Sequence, residues 1–99
     1  MIVQVSNGRA ELRKENGSLI RTIVTSHVVD ADLSDDQSLV LVTLDNGRVE
    51  LRKENGSLIR TIVTSRALKA RFNNSDIAVS LDNGKTELRK ENGSLIRTL

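Results

Sequence analysis

The sequence predicts an all-β repeat fold, built from short antiparallel strands in successive up-and-down sheets. Three observations carry that prediction. The twelve-residue phrase Glu-Leu-Arg-Lys-Glu-Asn-Gly-Ser-Leu-Ile-Arg-Thr occurs three times without change, starting at Glu11, Glu50 and Glu87. The dipeptide Asn-Gly, the strongest short hairpin signal, occurs six times. Between these turns apolar and polar residues alternate with the period of two that a half-buried strand requires.

The repeat is longer than the phrase. Ser6-Asn7-Gly8-Arg9, Asp45-Asn46-Gly47-Arg48 and Asp82-Asn83-Gly84-Lys85 precede the three copies, and Ile23-Val24-Thr25-Ser26 is matched by Ile62-Val63-Thr64-Ser65. Successive copies are 39 and 37 residues apart. The units are therefore about 1–26, 27–65 and 66–99, within one domain covering 1–99.

A complete unit divides into four strands. The first runs from Val28 to Leu33 and ends in the polar turn Ser34-Asp35-Asp36-Gln37-Ser38. Leu39 to Leu44 is apolar on both faces, the mark of a strand covered on both sides. Arg48 to Lys53 places Val49 and Leu51 on one face and its charges on the other. Ser57 to Val63 completes the unit after Glu54-Asn55-Gly56. The next unit opens with Ala67 to Phe72, and its shorter turn, Asn73-Asn74-Ser75-Asp76, accounts for the shorter step. Asn-Gly predicts type I′ turns, because both residues tolerate positive φ. The first unit begins at its second strand, which gives eleven strands in all. Glu-Leu-Arg-Lys-Glu-Asn contains good helix formers but is too short to hold a helix.

Composition narrows the possibilities further. Ninety-nine residues suffice for one modest core. Phe72 is the only aromatic residue, so that core must be Leu, Ile and Val. Fifteen Lys and Arg face thirteen Asp and Glu, a net charge of +2. The signs alternate along the chain, as in Arg13-Lys14-Glu15, which reads as a solvated surface and not as a basic face. Without cysteine there is neither a disulfide framework nor thiolate chemistry. A cytoplasmic protein with no membrane association is expected, since no apolar run approaches the ~18 residues a span needs and the start lacks a signal-peptide pattern.

A four-stranded meander repeating every ~40 residues is the blade of a β-propeller. The chain resembles the WD-repeat propellers across nearly its whole length. Val28-Val29-Asp30-Ala31-Asp32-Leu33-Ser34-Asp35-Asp36, followed by Leu39-Val40-Leu41-Val42, is similar to that family's "V-x-x-x-x-F-S-P-D-G" and the apolar strand after it. Asp45-Asn46-Gly47-Arg48-Val49-Glu50-Leu51 is similar to its "D-D-G-x-V-x-L", and Gly56-Ser57-Leu58-Ile59-Arg60-Thr61-Ile62 to its "G-x-x-x-x-T-L". The resemblance implies blade geometry. The family's Trp-Asp dipeptide is replaced by Arg52-Lys53 and its Gly-His dipeptide is missing, so the hydrogen-bond network those residues build in the family is not expected.

Three blades, the first without its innermost strand, are fewer than the ~4 that close a propeller. The expectation is a ring closed by homo-oligomerisation of two or three chains through head-to-tail contacts. One difference between units fits such assembly: Asp30 and Asp32 on one innermost strand correspond to Lys69 and Arg71 on the next, so acidic and basic strands would sit side by side on the channel. Arg21, Arg60 and Arg97 would line the outer edges and discourage edge pairing.

Catalytic candidates are sparse. His27 is the only histidine, and its equivalent is Arg66. Asp30 to Asp36 begins like a calcium loop but carries Asp35 and Leu41 where an EF-hand needs Gly and Glu. No phosphate loop or zinc spacing occurs, so no cofactor or metal is expected. The reading is a non-catalytic, self-assembling scaffold or protein-binding module, and the identity of the copies points to recent duplication or deliberate construction. The alternative is a nucleic-acid or polyanion binder using a band of basic pairs, Arg13-Lys14, Arg52-Lys53 and Arg89-Lys90. It lacks an aromatic platform on which bases could stack.

Overall fold

The computed structural model describes residues 1–99 as eleven strands without a helix. The first sheet contains β1 (Ile2–Ser6), β2 (Arg9–Arg13) and β3 (Leu19–Val24). β4 (Val28–Leu33), β5 (Leu39–Leu44), β6 (Val49–Lys53) and β7 (Leu58–Val63) form the second. The third contains β8 (Ala67–Asn73), β9 (Asp76–Leu81), β10 (Thr86–Lys90) and β11 (Leu95–Thr98). Every neighbouring pair is antiparallel, so each sheet is a meander. β4 and β5 have the bounds read from the sequence, and the first sheet lacks a fourth strand as expected. No helix is long and apolar enough to cross a membrane.

The sheets stack face to face, and the stacking changes one expectation. Instead of one core there are two. Ala10, Leu12, Ile23, Val28, Val40 and Val42 fill the space between the first and second sheets. Leu41, Val49, Leu51, Ile62, Ala70, Ile77 and Val79 fill the space between the second and third. β5 supplies both, because successive side chains of a strand point to opposite faces. In a stacked repeat each unit contacts only its neighbours, so the interior is divided among the interfaces.

The turns also depart from expectation. Only Asn7-Gly8 has positive φ at both residues, +53° and +75°. There Ser6 pairs with Arg9 across a two-residue loop, as type I′ demands. At the other five Asn-Gly pairs glycine alone is left-handed. In Leu44-Asp45-Asn46-Gly47-Arg48 the Gly47 N–H donates to the Leu44 carbonyl at 3.0 Å and the Leu44 N–H to the Arg48 carbonyl at 2.8 Å. This is a three-residue loop, a type I turn followed by a glycine bulge. The Asn side chain is used for hydrogen bonding: Asn46 Oδ1 accepts from Arg48 N at 3.0 Å, and Asn16, Asn55, Asn83 and Asn92 accept in the same way.

The tighter loop shifts β1 by one residue relative to its sister strands. Leu12 faces Val3, whereas the equivalent Leu51 faces Leu41, whose counterpart at the 39-residue step is Ile2. A one-residue slip exchanges the two faces of a strand. Here it turns Met1 and Val3 onto the core of the first interface and leaves Ile2 and Gln4 exposed.

A second rephasing occurs in the innermost strands. Bulges lie between Val28 and Asp30 and between Ala67 and Lys69. Simple alternation would put Val29 on the face of Ala31, and Leu68 on that of Ala70. The extra residue instead buries Val28 and Ala67, and leaves Val29 and Leu68 exposed.

Candidate functional site

The residues that the sequence singled out fall into two settings, the interfaces between sheets and the open outer faces. At the inner end of the second interface β4 lies against β8. The Arg71 guanidinium forms a two-pronged ion pair with Asp30, its second terminal nitrogen 3.1 Å from Asp30 Oδ1. Hydrogen bonding to Asp30 raises the Arg71 pKa above its ordinary value. Asp32 is also used, but by backbone: Oδ2 accepts the Phe72 N–H at 2.8 Å. Lys69 is exposed and forms no ion pair. Three of the four residues are thus brought together inside one chain, joining its second sheet to its third.

The repeated phrase encodes a device that the sequence reading missed. Strand alternation puts Glu50 and Arg52 on one face of β6, where Arg52 Nε and a terminal nitrogen donate to Glu50 Oε1 at 3.0 and 2.9 Å. The other terminal nitrogen donates to the Gly56 carbonyl at 2.8 Å. Arg13 does the same with Glu11 and Gly17, and Arg89 with Glu87 and Gly93. Glu11 and Glu50 are buried. An arginine bound in this way fixes the turn after the strand and neutralises the enclosed carboxylate. The signal was E-x-R with Gly four residues after the Arg. The charges of the phrase are therefore not all solvated surface.

This arrangement also places the basic pairs. Arg13, Arg52 and Arg89 are committed to Glu and Gly. Lys14, Lys53 and Lys90, one residue on, are exposed. Arg and Lys of each pair do not share a face, so no continuous band runs along the array. Arg21, Arg60 and Arg97 are exposed on β3, β7 and β11, and Arg60 reaches the Asn92 carbonyl at 3.3 Å.

A further staple joins each sheet to the next at its turn end. The Val28 N–H donates to the Gly8 carbonyl at 2.9 Å, and the Ala67 N–H to the Gly47 carbonyl at 3.0 Å. His27 and Arg66, just before those donors, are left-handed with φ of +66° and +72°. Their carbonyls accept from Asp45 and Asp82, and their side chains meet the same residues, each at 3.0 Å. His27 therefore holds a turn through Asp45. At the other end of the sheets Asp36 Oδ1 accepts from both the Ser34 and Ser38 hydroxyls and from the Ser38 N–H. The Ser38 hydroxyl, then the Ser34 hydroxyl, hold the Asp36 pKa below the usual 3.8, so it closes its own turn as a carboxylate.

The outer faces are unequal. Ile2 and Gln4 lie exposed on β1 of the first sheet. On the third sheet the face opposite Ile77 and Val79 carries Asp76, Ala78 and Ser80 where the second sheet has Leu39, Leu41 and Thr43, and β10 has Thr86 where β6 has Val49. Leu88 and Leu99 remain apolar. Leu99 is 67% exposed while its equivalent, Ile62, is 4% exposed beneath the third sheet.

No protein-family model matches the sequence, and no curated protein matches it. Solved structures match its fold. BamB from Moraxella catarrhalis superposes with a TM-score of 0.77 at 12% identity, over 98% of this chain and 31% of that one. Saccharomyces cerevisiae Sqt1 gives 0.76 at 18% identity, over 93% of this chain and 28% of that one. The C-terminal WD40 domain of Sif2 gives 0.73 at 12% identity, over 97% and 30%. This chain spans about three-tenths of the length of each of those chains. Its three sheets are blades of a WD-repeat-like β-propeller fold.

Proposed function

We propose that the chain is a non-catalytic scaffold whose blades stack on those of further copies, two or three chains closing one propeller in a cytoplasmic setting. The observation that carries this reading is the state of the outer faces. Inside the chain every blade-to-blade contact buries a set of aliphatic groups, yet Leu88 is only half-buried where Leu12 and Leu51 are each 1% exposed. Ile2 is 42% exposed on the opposite flank. Apolar surface of this kind drives association in proportion to the area removed from water. Head-to-tail contact is the arrangement that unlike flanks favour, since it sets the first blade of one copy against the third blade of the next. Asp30, Asp32 and Arg71 support this role by holding the second and third blades in the stacked relation the ring requires.

Native mass spectrometry with light scattering tests the proposal. Two or three times the 10.9 kDa chain mass is expected at micromolar concentration. A stable species at 10.9 kDa up to the highest soluble concentration would overturn it.

A further inference from the structure

Where the blades splay at the end that carries the β5–β6 and β9–β10 turns, each boundary opens into a cleft. The cleft between the first and second blades has a volume of about 400 Å³ and its charged lining is Asp45, Glu50, Arg52 and the imidazole of His27. The cleft between the second and third has a volume of about 560 Å³ and its charged lining is Arg66, Lys85, Arg89 and Glu87. The two share an origin in the repeat but differ in sign. Two carboxylates oppose one arginine in the first, and three cations oppose one carboxylate in the second.

One cation of the larger cleft is unpaired and a second keeps free donors. Lys85 forms no ion pair. Arg66 engages Asp82 through Nε at 3.0 Å, which leaves both terminal nitrogens without a partner, although Asp82 offsets part of the charge. Arg89 holds Glu87 and the Gly93 carbonyl, and so forms a neutralised wall. Ser65 and Thr98 add hydroxyls to the lining.

We propose that this cleft binds a small phosphate-bearing anion. The two terminal nitrogens of a guanidinium form a fork that matches two phosphate oxygens, and an ammonium contributes a mobile point charge beside it. A phosphate monoester carries about −1.5 to −2 at pH 7; the unpaired Lys85 would offset one of those charges, and the two free terminal nitrogens of Arg66 would donate to its oxygens. The volume exceeds what inorganic phosphate would fill, so the cleft has room for a phosphate carried on a small organic body. The cleft belongs to one chain, so this proposal stands or falls separately from assembly.

An NMR titration of the whole chain tests it, with inorganic phosphate and phenyl phosphate as probes and sodium chloride at matched ionic strength as control. Saturable shifts are expected at the Ser65, Lys85 and Thr98 amides and not at Ser26 or Asp45, with phenyl phosphate binding more tightly than inorganic phosphate. Lys85→Gln should weaken binding roughly threefold to fivefold, as the loss of one partly solvated charge contact implies. Arg66→His, which copies the smaller cleft, should weaken it at least as much. Shifts that do not saturate, that appear equally in both clefts, or that survive both substitutions would overturn the proposal. Lys85 is exposed, so Lys85→Gln keeps the native spectrum, and Arg66→His provides a second reading if it does not.

Discussion

Glu50 shows how much of this molecule is decided by single side chains. Its carboxylate is 9% exposed, beside an Arg52 side chain that is 20% exposed. Removing one partner of such an enclosed pair leaves the other charged, half-buried and unpaired, and that loss outweighs the modest net worth of the pair itself. Glu50→Ala is therefore expected to cost about 2 kcal/mol, with Arg52 losing its orientation toward Gly56 as well. Glu87 makes the same contacts in the last blade at 17% exposure. Water screens that pair better, and Glu87→Ala should cost about 1 kcal/mol less than Glu50→Ala. Urea melts of both variants check the order. The repeat alignment set an acidic strand beside a basic one, but it matched Asp30 with Lys69 and Asp32 with Arg71, and did not single out the Asp30–Arg71 pair. The Glu–Arg pairs were not legible in the sequence, because an alternating charge pattern on a strand reads as a solvated face until the arginine is known to fold back over the carboxylate, as it does even on the open face at Glu11.

Strands and turns differ in the same respect. The bounds of β4 and β5 were readable because apolar alternation and flanking turn residues agree there. Loop length was not readable from Asn-Gly. The same dipeptide makes a two-residue loop after Ser6 and a three-residue loop after Leu44, according to whether the flanking strand gains by slipping one residue. On β1 the slip covers Met1 and Val3 with the second blade, and that gain fixes the register. The glycines of the longer loops then separate two physical demands. Gly47 and Gly84 have nearly the same φ, +86° and +85°. A Cβ on Gly47 would lie 2.3 Å from the Arg66 backbone nitrogen, whereas one on Gly84 would meet nothing within 4 Å. Gly84→Ala should cost about 1 kcal/mol of left-handed strain. Gly47→Ala must also push the second and third blades apart and break the bond from Ala67, so a loss of more than about 3 kcal/mol is expected. Thermal melts distinguish them, and equal losses would show that the interblade staple carries no weight.

At the scale of the whole molecule the proposed assembly turns on how the two open flanks would meet. They differ in composition: β1 offers Ile2 and Gln4, while the far face offers Leu88 and Leu99 among Asp76, Ala78, Ser80 and Thr86. The polar replacements on that face make it a weaker seat than the flank which the second blade presents to the third. Unlike faces favour a heterologous contact, in which the flank of one copy meets the opposite flank of the next. Such a contact has a signature that a symmetric one lacks. Ile2→Glu should block the first flank and Leu88→Glu the last, because each puts a charge that must be desolvated on contact in place of an apolar group of that flank. Each variant alone is then expected to stay at the 10.9 kDa chain mass. Mixed in equal amounts, the two still hold one intact flank of each kind, and they should join into a dimer that can extend no further. Light scattering of the mixture reads the result directly. If either variant alone still dimerises, the contact joins like flanks; if the mixture stays at the single-chain mass while the unmodified protein associates, the two flanks do not meet; either result makes the head-to-tail ring wrong.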